Sequence, residues 1–397
     1  MSPRESARGR ARVPKLKPDS LVRTPSEATT AMLWGRAAGR CQFEGCNRLV
    51  YRVGVTQEVM NVAERAHIWS FGATGPRARA GASGEHVHDI TNVMLLCPEH
   101  HVRIDKGDGE TKYAEPMLRA MKRRHEERVR VATGIAQSMS SHVVLYGTHV
   151  GEHAAPPAFD DAARAMFPHR YPAEDRAAEL GSRAPAYRDR DAEFWTAERR
   201  NLQRQFELHV RARRTHAEVG HISMFAIAPQ PLLIELGVLL GDMTDVDVFQ
   251  LHREPRGWSW PADEDPQEFV VDELVSRDGA PALILSVSAP ITMDRITRVL
   301  GDKITPYVVT VPNPHNDVLN SRSMLRRFRR CIRQLMPRIR AAHGVTPVHV
   351  FPALPVALAV ELGRVRMPKA DPPWLIYDEQ QERGGFVPTF IIAEEES

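Results

Sequence analysis

The chain has 397 residues, 42% apolar and 26% charged, an ordinary globular balance that excludes global disorder. At roughly 100–200 residues per domain, that length predicts two or three domains. No run approaches the ~18–20 apolar residues of a membrane span, and the basic N-terminus lacks the apolar stretch of a signal peptide. Four cysteines are too few for a disulfide scaffold, so the expected setting is a reducing cytoplasm. The net charge of +3 divides unevenly: residues 1–137 hold 23 Lys and Arg against 15 Asp and Glu, and the remainder 30 against 35. A basic front half suits a polyanion such as DNA. It equally describes a solvated tail, since six of those positive charges fall within residues 1–17.

In chain order, residues 1–25 are basic, proline-punctuated and without period, and predict a flexible arm. Residues 26–137 gather most of the cysteine and close on a predicted amphipathic helix, Pro116–Ala132, with apolar Met117, Leu118 and Met121. Residues 138–190, rich in Ala, Pro, His and Arg, predict a linker or peripheral connection. From Asp191 the pattern alternates. Helices are predicted at Ala192–Arg214, Leu232–Leu240, Met293–Leu300, Ser323–His343 and Val356–Gly363, and strands at Asp247–Leu251, Ala282–Val287, Tyr307–Val311 and Val348–Phe351. Strands alternating with helices indicate α/β layers, and several strands end in proline-containing turns where an open sheet places its ligands. Neither a dinucleotide fingerprint nor a P-loop is present.

Two half-sites carry chemistry. Cys41-Gln-Phe-Glu-Gly-Cys46 and Cys97-Pro-Glu-His100 together offer four soft N/S donors, the set that tetrahedral Zn²⁺ takes in structural sites. Cys331 reads as a small core residue. Beside the half-sites lie Glu64-Arg-Ala66-His67-Ile68 and Asn92-Val-Met-Leu-Leu-Cys97-Pro-Glu-His100-His101, then Ile104-Asp105.

A His, an Asn and a later His inside a cysteine staple resemble the HNH endonucleases of the ββα-metal fold, over roughly residues 30–130. The resemblance implies His67 as the general base that draws a proton from water, Asn92 as the residue orienting that imidazole, and His101 as ligand of a catalytic divalent metal, Mg²⁺ or another. His100 is left for the structural zinc. Many HNH enzymes place an Asp or His metal ligand immediately before the base, where this chain has Ala66. Strand alternation puts Glu64 on the face of Ala66, so Glu64 is the expected replacement. His86, His88 and His125 read as exposed polar residues.

Residues from about 200 onward, grouped as a 191–397 domain, resemble the SAVED sensor domain, two fused CARF-like Rossmann-type α/β units. The matching stretches begin at His221, Phe249 and Phe351, and include Trp258-Ser-Trp260. Such domains look like receptors for cyclic oligonucleotide messengers. Trp258 and Trp260 offer base-stacking faces, and Arg253, Lys303 and Arg364 phosphate donors, although each also reads as core packing or a solvated charge. The two halves together resemble the HNH–SAVED effectors of cyclic-oligonucleotide anti-phage (CBASS) immunity. That implies a cyclic di- or trinucleotide activator, a double-stranded DNA substrate cut with little sequence preference, and a homo-oligomer, dimeric at rest, that grows on activation. Two other readings stay open: a zinc-stapled DNA-binding regulator without catalysis, and a constitutive restriction-type HNH nuclease.

Overall fold

The computed structural model describes residues 24–393 apart from 54–55, 71–74, 79–86, 149–156, 182–186, 189–190, 216–219, 242, 244, 262–265, 274–277 and 381–383. The basic arm therefore lies almost wholly outside the described residues, as does His86. The chain divides into two compact units, Met1–Gly134 and Ile135–Ser397. Among the described residues no helix is long and apolar enough to cross a membrane.

The first unit opens with α1 (Glu27–Ala37), whose N-cap Ser26 accepts a hydrogen bond from the Thr29 amide. An antiparallel pair follows, β1 (Glu64–His67) against β2 (Val93–Leu96), in a register that sets Glu64 opposite Leu96 and His67 opposite Val93. All four residues of β2 are buried, so this strand is the centre of the small core, with Leu33, Ile68, Ile104 and Leu118 around it. Cys97 ends the strand, and Pro98 starts α2 (Pro98–Asp105), where its missing N–H costs nothing. A short α3 (Gly109–Lys112) leads to α4 (Glu115–Thr133), the helix predicted from its period. Leu118 and Met121 face the core, but Met117 points outward and is exposed.

The first strand of the second unit lies inside the expected linker. Residues Ser140–Gly147 form β3, which lies between β4 (Tyr171–Pro172) and β6 (Ile222–Ile227) in an all-parallel sheet completed by β5 (Ala178–Glu179) and β7 (Val246–Val248). This corrects the linker assignment of 138–190 at its amino-terminal end: Val143–Tyr146 are buried on both faces of the sheet, and α5 (Phe159–Met166) packs on β3. A helix predicted as continuous, Ala192–Arg214, is α6 (Ala192–Phe206), passing through a wider turn at Glu207–Arg211 into α7 (Ala212–Thr215). The helix α8 (Gln230–Leu240) links β6 to β7, and a two-residue ladder, β8 (His252–Arg253) and β9 (Arg256–Gly257), forms a hairpin beyond β7.

A six-stranded sheet follows, in the order β10 (Val270–Glu273), β12 (Ile304–Thr310), β11 (Ala280–Ser286), β13 (Val348–Ala353), β14 (Trp374–Gln380), β15 (Gly385–Ile392). The central four strands are parallel and the two edges antiparallel. The crossovers are α9 (Met293–Leu300), α10 (Arg322–His343) and α11 (Val356–Val365). Two Rossmann-type layers thus share one core, joined where α8 packs on α11. The two helices carry the same tripeptide, Glu235-Leu236-Gly237 and Glu361-Leu362-Gly363. Their glycines face each other: a Cβ on Gly237 would stand 2.0 Å from the Val360 carbonyl oxygen, and one on Gly363 1.9 Å from that of Ile234. Only glycine permits this backbone approach.

Candidate active site, metal cluster and sensor pocket

In the first unit the two half-sites converge. One donor atom from each of Cys41, Cys46, Cys97 and His100 falls within 4.8 Å of all the others. Cys41 follows α1 in a turn made possible by positive φ at Gly45 and Asn47, which brings Cys46 back toward it. Cys97 and His100 sit at the start of α2, with Sγ and Nδ1 3.1 Å apart. The Phe43 ring stacks on His100 at 4.1 Å and fixes the imidazole. Burial pushes the Cys41 thiol up to about 12 and raises Cys97 as well, so a cation would be needed to hold these sulfurs as thiolates. Three sulfurs and one imidazole, mostly buried and mutually within reach, suit a soft tetrahedral ion.

One face of α2 away serves a different chemistry. His101 lies between two carboxylates: its Nδ1 is 3.4 Å from Glu64 Oε2 and its Nε2 is 3.3 Å from Asp105 Oδ2, one helical turn on. The hydrogen bond to Asp105, helped by the charge of both acids and opposed by burial, raises the His101 pKa. Burial works against ionisation of Asp105, yet hydrogen bonds from His101 and Arg77 hold its carboxyl below the ordinary range. Arg77, nearly buried, donates to Asp105 at 2.6 Å and also to the Ile68 and Ile104 carbonyls, tying β1 to α2. Ala66 packs into the core, so Glu64 alone of its strand face reaches His101.

His67 stands at the end of β1, with Nε2 3.1 Å from Nδ1 of His88. Burial, then the neighbouring His88, lowers its pKa, so the ring is neutral near pH 7. Asn92 does not orient that ring in the way expected. Its Oδ1 accepts from the Trp69 amide at 3.0 Å, and its Nδ2 donates to the Trp69 and Val87 carbonyls at 3.1 and 2.9 Å. Every polar atom of this buried amide therefore fastens the backbone two residues beyond His67 and next to His88, and the ring is placed through the main chain. Two expectations for histidine change as well. His88 is half-buried against His67, and His125 is buried with Nε2 3.0 Å from the Ala37 carbonyl. Asp105 was visible in the sequence one turn after His101, whereas His88 and Arg77 had no periodic signal because each arrives from a loop.

In the second unit the messenger candidates separate. Arg253 is exposed on the hairpin beyond the carboxyl end of β7, its amide donating to Asp317. Trp260 is half-buried, edge-to-face with His252. Trp258 is 5% exposed and packs edge-to-face on Phe225, so it is a core residue and offers no free face. Lys303 precedes β12 and so lies at the amino-terminal edge of its sheet. Arg364 is in the last turn of α11, which returns from β13 to a parallel neighbour, so it too sits at the amino-terminal edge, buried and paired with Glu361 at 2.8 Å. At the opposite, carboxyl edge, Gln230 and Gln250 side chains accept from the Leu354 and Ala357 amides and draw the ends of β6, β7 and β13 together.

Residues 41–108 match the HNH endonuclease family, and residues 202–392 match the SAVED family, described as a SMODS-associated sensor domain fused to various effectors. No curated protein sequence matches the chain significantly. Among solved structures, the chain is similar to an Acinetobacter baumannii Cap4 SAVED/CARF-domain containing receptor with the cyclic trinucleotide 2'3'3'-cAAA, at 10% identity and TM-score 0.43, covering 74% of this chain and 63% of that one. A Moraxella osloensis Cap4 SAVED/CARF-domain containing receptor is similar at 12% identity and TM-score 0.40, covering 70% and 58%. This chain thus spans less than two thirds of either neighbour.

Proposed function

We propose that this chain, which joins an HNH endonuclease domain to a SAVED sensor domain, is a DNA endonuclease switched on by a cyclic oligonucleotide, an effector of CBASS-type anti-phage defence. The observation that carries the reading is the pairing of a neutral, half-buried His67 with the His101–Asp105–Glu64 group across a strand-and-helix junction, on the same chain as a sensor. Neutral His67 takes a proton from water, and the resulting oxygen attacks the phosphodiester phosphorus. His101 and Asp105, with Glu64 beside them, are the residues to hold a divalent metal, Mg²⁺ or a transition ion, which supplies charge stabilisation at the phosphorus and leaving oxygen. Arg77 keeps Asp105 ionised and aimed. Asn92 holds the loop that presents His67.

The Cys41–Cys46–Cys97–His100 cluster is a structural zinc site that fixes the start of α2, and hence His101, against β1. For the messenger, Arg253 and Trp260 at the carboxyl edge are the groups for phosphate and base, and the amino ends of α8 and α11 open at that same edge. Messenger binding favours a higher oligomer in which HNH domains cut double-stranded DNA through backbone rather than base contacts.

The test is plasmid degradation with Mg²⁺, with and without a panel of cyclic di- and trinucleotides, with His67→Ala alongside. One messenger switching on cutting that His67→Ala abolishes supports the reading. Equal cutting without messenger favours a restriction-type nuclease, and DNA binding without cutting in any condition favours a regulator.

A further inference from the structure

The helix α10 carries eight arginines and no acidic residue. Four of them have acidic partners among the described residues: Arg322 with Asp247, Arg327 with Glu268, Arg329 with Glu361 and Arg338 with Glu273. Arg326, Arg330 and Arg333 have none. Spaced at i, i+4 and i+7, they form one stripe about 10 Å long on the helix. The stripe borders a cavity of about 550 Å³, lined also by Arg329, by Arg364 and by the end of α8 at Gly241 and Met243.

Arg364 is the floor of this basin. It is 8% exposed; one Nη donates to Glu361 and the other to the Met243 carbonyl, while its buried Nε has no partner. Glu361 also serves Arg329, so among the described residues it is the one carboxylate paired with any of these five guanidinium groups. Guanidinium forks match phosphate oxygens, and a dense anion would relieve the mutual repulsion of these charges. Among the described residues no aromatic side chain lines the basin, so these offer nothing on which a base could stack. Its volume falls in the ~300–1,000 Å³ range of small-ligand sites. The ends of α8 and α11 place it at the amino-terminal edge of the sheets, away from Arg253 and Trp260.

We infer that the basin among α8, α10 and α11 is a second anion site, which takes a ligand with adjacent phosphate groups and reads the phosphates alone. Such groups come either from a free oligophosphate, as in the tail of a nucleoside triphosphate, or from a nucleic-acid backbone. The inference stands apart from the nuclease reading and from the messenger site.

Calorimetric titration of the full chain in EDTA, with inorganic tripolyphosphate as probe, tests it. The wild type is compared with R326Q/R330Q/R333Q, whose substitutions lie on an exposed or rim face of α10 and leave its apolar face intact; unchanged melting verifies the fold. Saturable binding to wild type is expected, weaker by about tenfold or more for each arginine removed. In parallel, a short DNA duplex is titrated and competed with tripolyphosphate. Loss of both affinities in the variant, with mutual competition, assigns the phosphates to a nucleic-acid backbone. Loss of tripolyphosphate binding alone assigns them to a free ligand. Equal tripolyphosphate affinity in wild type and variant, or no binding to wild type at low salt, overturns the site. Plasmid cutting by the variant reports separately on the nuclease.

Discussion

Gly363→Ala tests how the two Rossmann-type layers are held together. The new methyl would lie 1.9 Å from the Ile234 oxygen, 2.7 Å from the Val238 nitrogen and 2.8 Å from Gly237 Cα. All three are backbone atoms, so no rotamer change relieves the contact and α8 must move away from α11 by more than an ångström. That movement loosens packing around Leu233, Ile234, Leu358 and Leu362, all essentially inaccessible to solvent. Overpacking of this kind costs roughly 1–3 kcal/mol, and the rigidity of both helices puts it at the top of that range. Alanine's better helix propensity returns up to about 1 kcal/mol, leaving a net loss near 2 kcal/mol. For a unit of this size the melting temperature falls by roughly 4–8 °C. Gly237→Ala strikes the same crossing from the other side and should behave alike, while the double variant costs less than the two singles together, because helices already separated admit the second methyl. Calorimetric melting of the three variants decides the matter. Changes within about 0.5 kcal/mol, or strict additivity, would refute the close-approach argument.

Cys97→Ser removes one sulfur of the cluster and should reduce zinc, measured by elemental analysis, from one equivalent to a small fraction, and lower the stability of the first unit. Asn92→Ala strips the three hydrogen bonds to the Trp69 and Val87 main chain; a loss of about 2–3 kcal/mol in unfolding experiments is expected, together with slower cutting at unchanged metal affinity. The acid limb of the rate profile should have its midpoint below 6.5, because His67 acts when neutral and burial lowers its pKa. In His88→Ala both the burial and the neighbouring charge are reduced, so the limb moves upward in pH; a downward shift would exclude His67 as the titrating base. Trp258→Ala should lower the melting temperature of the second unit, at a cost of about 3–5 kcal/mol, without changing which messenger activates.

Periodicity made the helices legible. The spans read for α4, α9 and α10 agree with the structure to within about a residue, because each buries one apolar stripe and leaves the opposite face charged. The strands β14 and β15 carry no regular alternation. Pro388 interrupts the pattern of β15, which tolerates it as an edge strand, and the register shift between Ile376 and Tyr377 breaks the alternation of its neighbour. The strand β3 was concealed by the proline- and histidine-rich residues that follow it. In the site, spacing alone grouped Cys41, Cys46, Cys97 and His100, since ligands separated by two or four intervening residues leave little freedom. The loop-borne partners of the histidines were invisible, for no period links His88 to His67 or Arg77 to Asp105.

Lys303 and Arg364 show a subtler limit. Proximity to a strand in sequence does not say which end of the strand a residue reaches. A crossover helix reverses the chain, so its first turn stands at the carboxyl edge and its last at the amino edge. Arg364 is eight residues into α11, far enough to have crossed the sheet, whereas Arg253 leaves β7 directly and stays at the carboxyl edge. The same topology that withdraws Arg364 from the carboxyl edge delivers it to the α10 arginines. The duplicated Glu-Leu-Gly sequence sharpens the contrast. Glu235 is bonded by Arg199 and Gln203 on α6, while Glu361 is bonded by Arg329 and Arg364. Equivalent carboxylates on paired helices thus have different surroundings, one cation and an amide against two cations beside three further arginines. Internal packing needs no more than the first arrangement, so the surplus positive charge around the second is the feature that calls for a ligand.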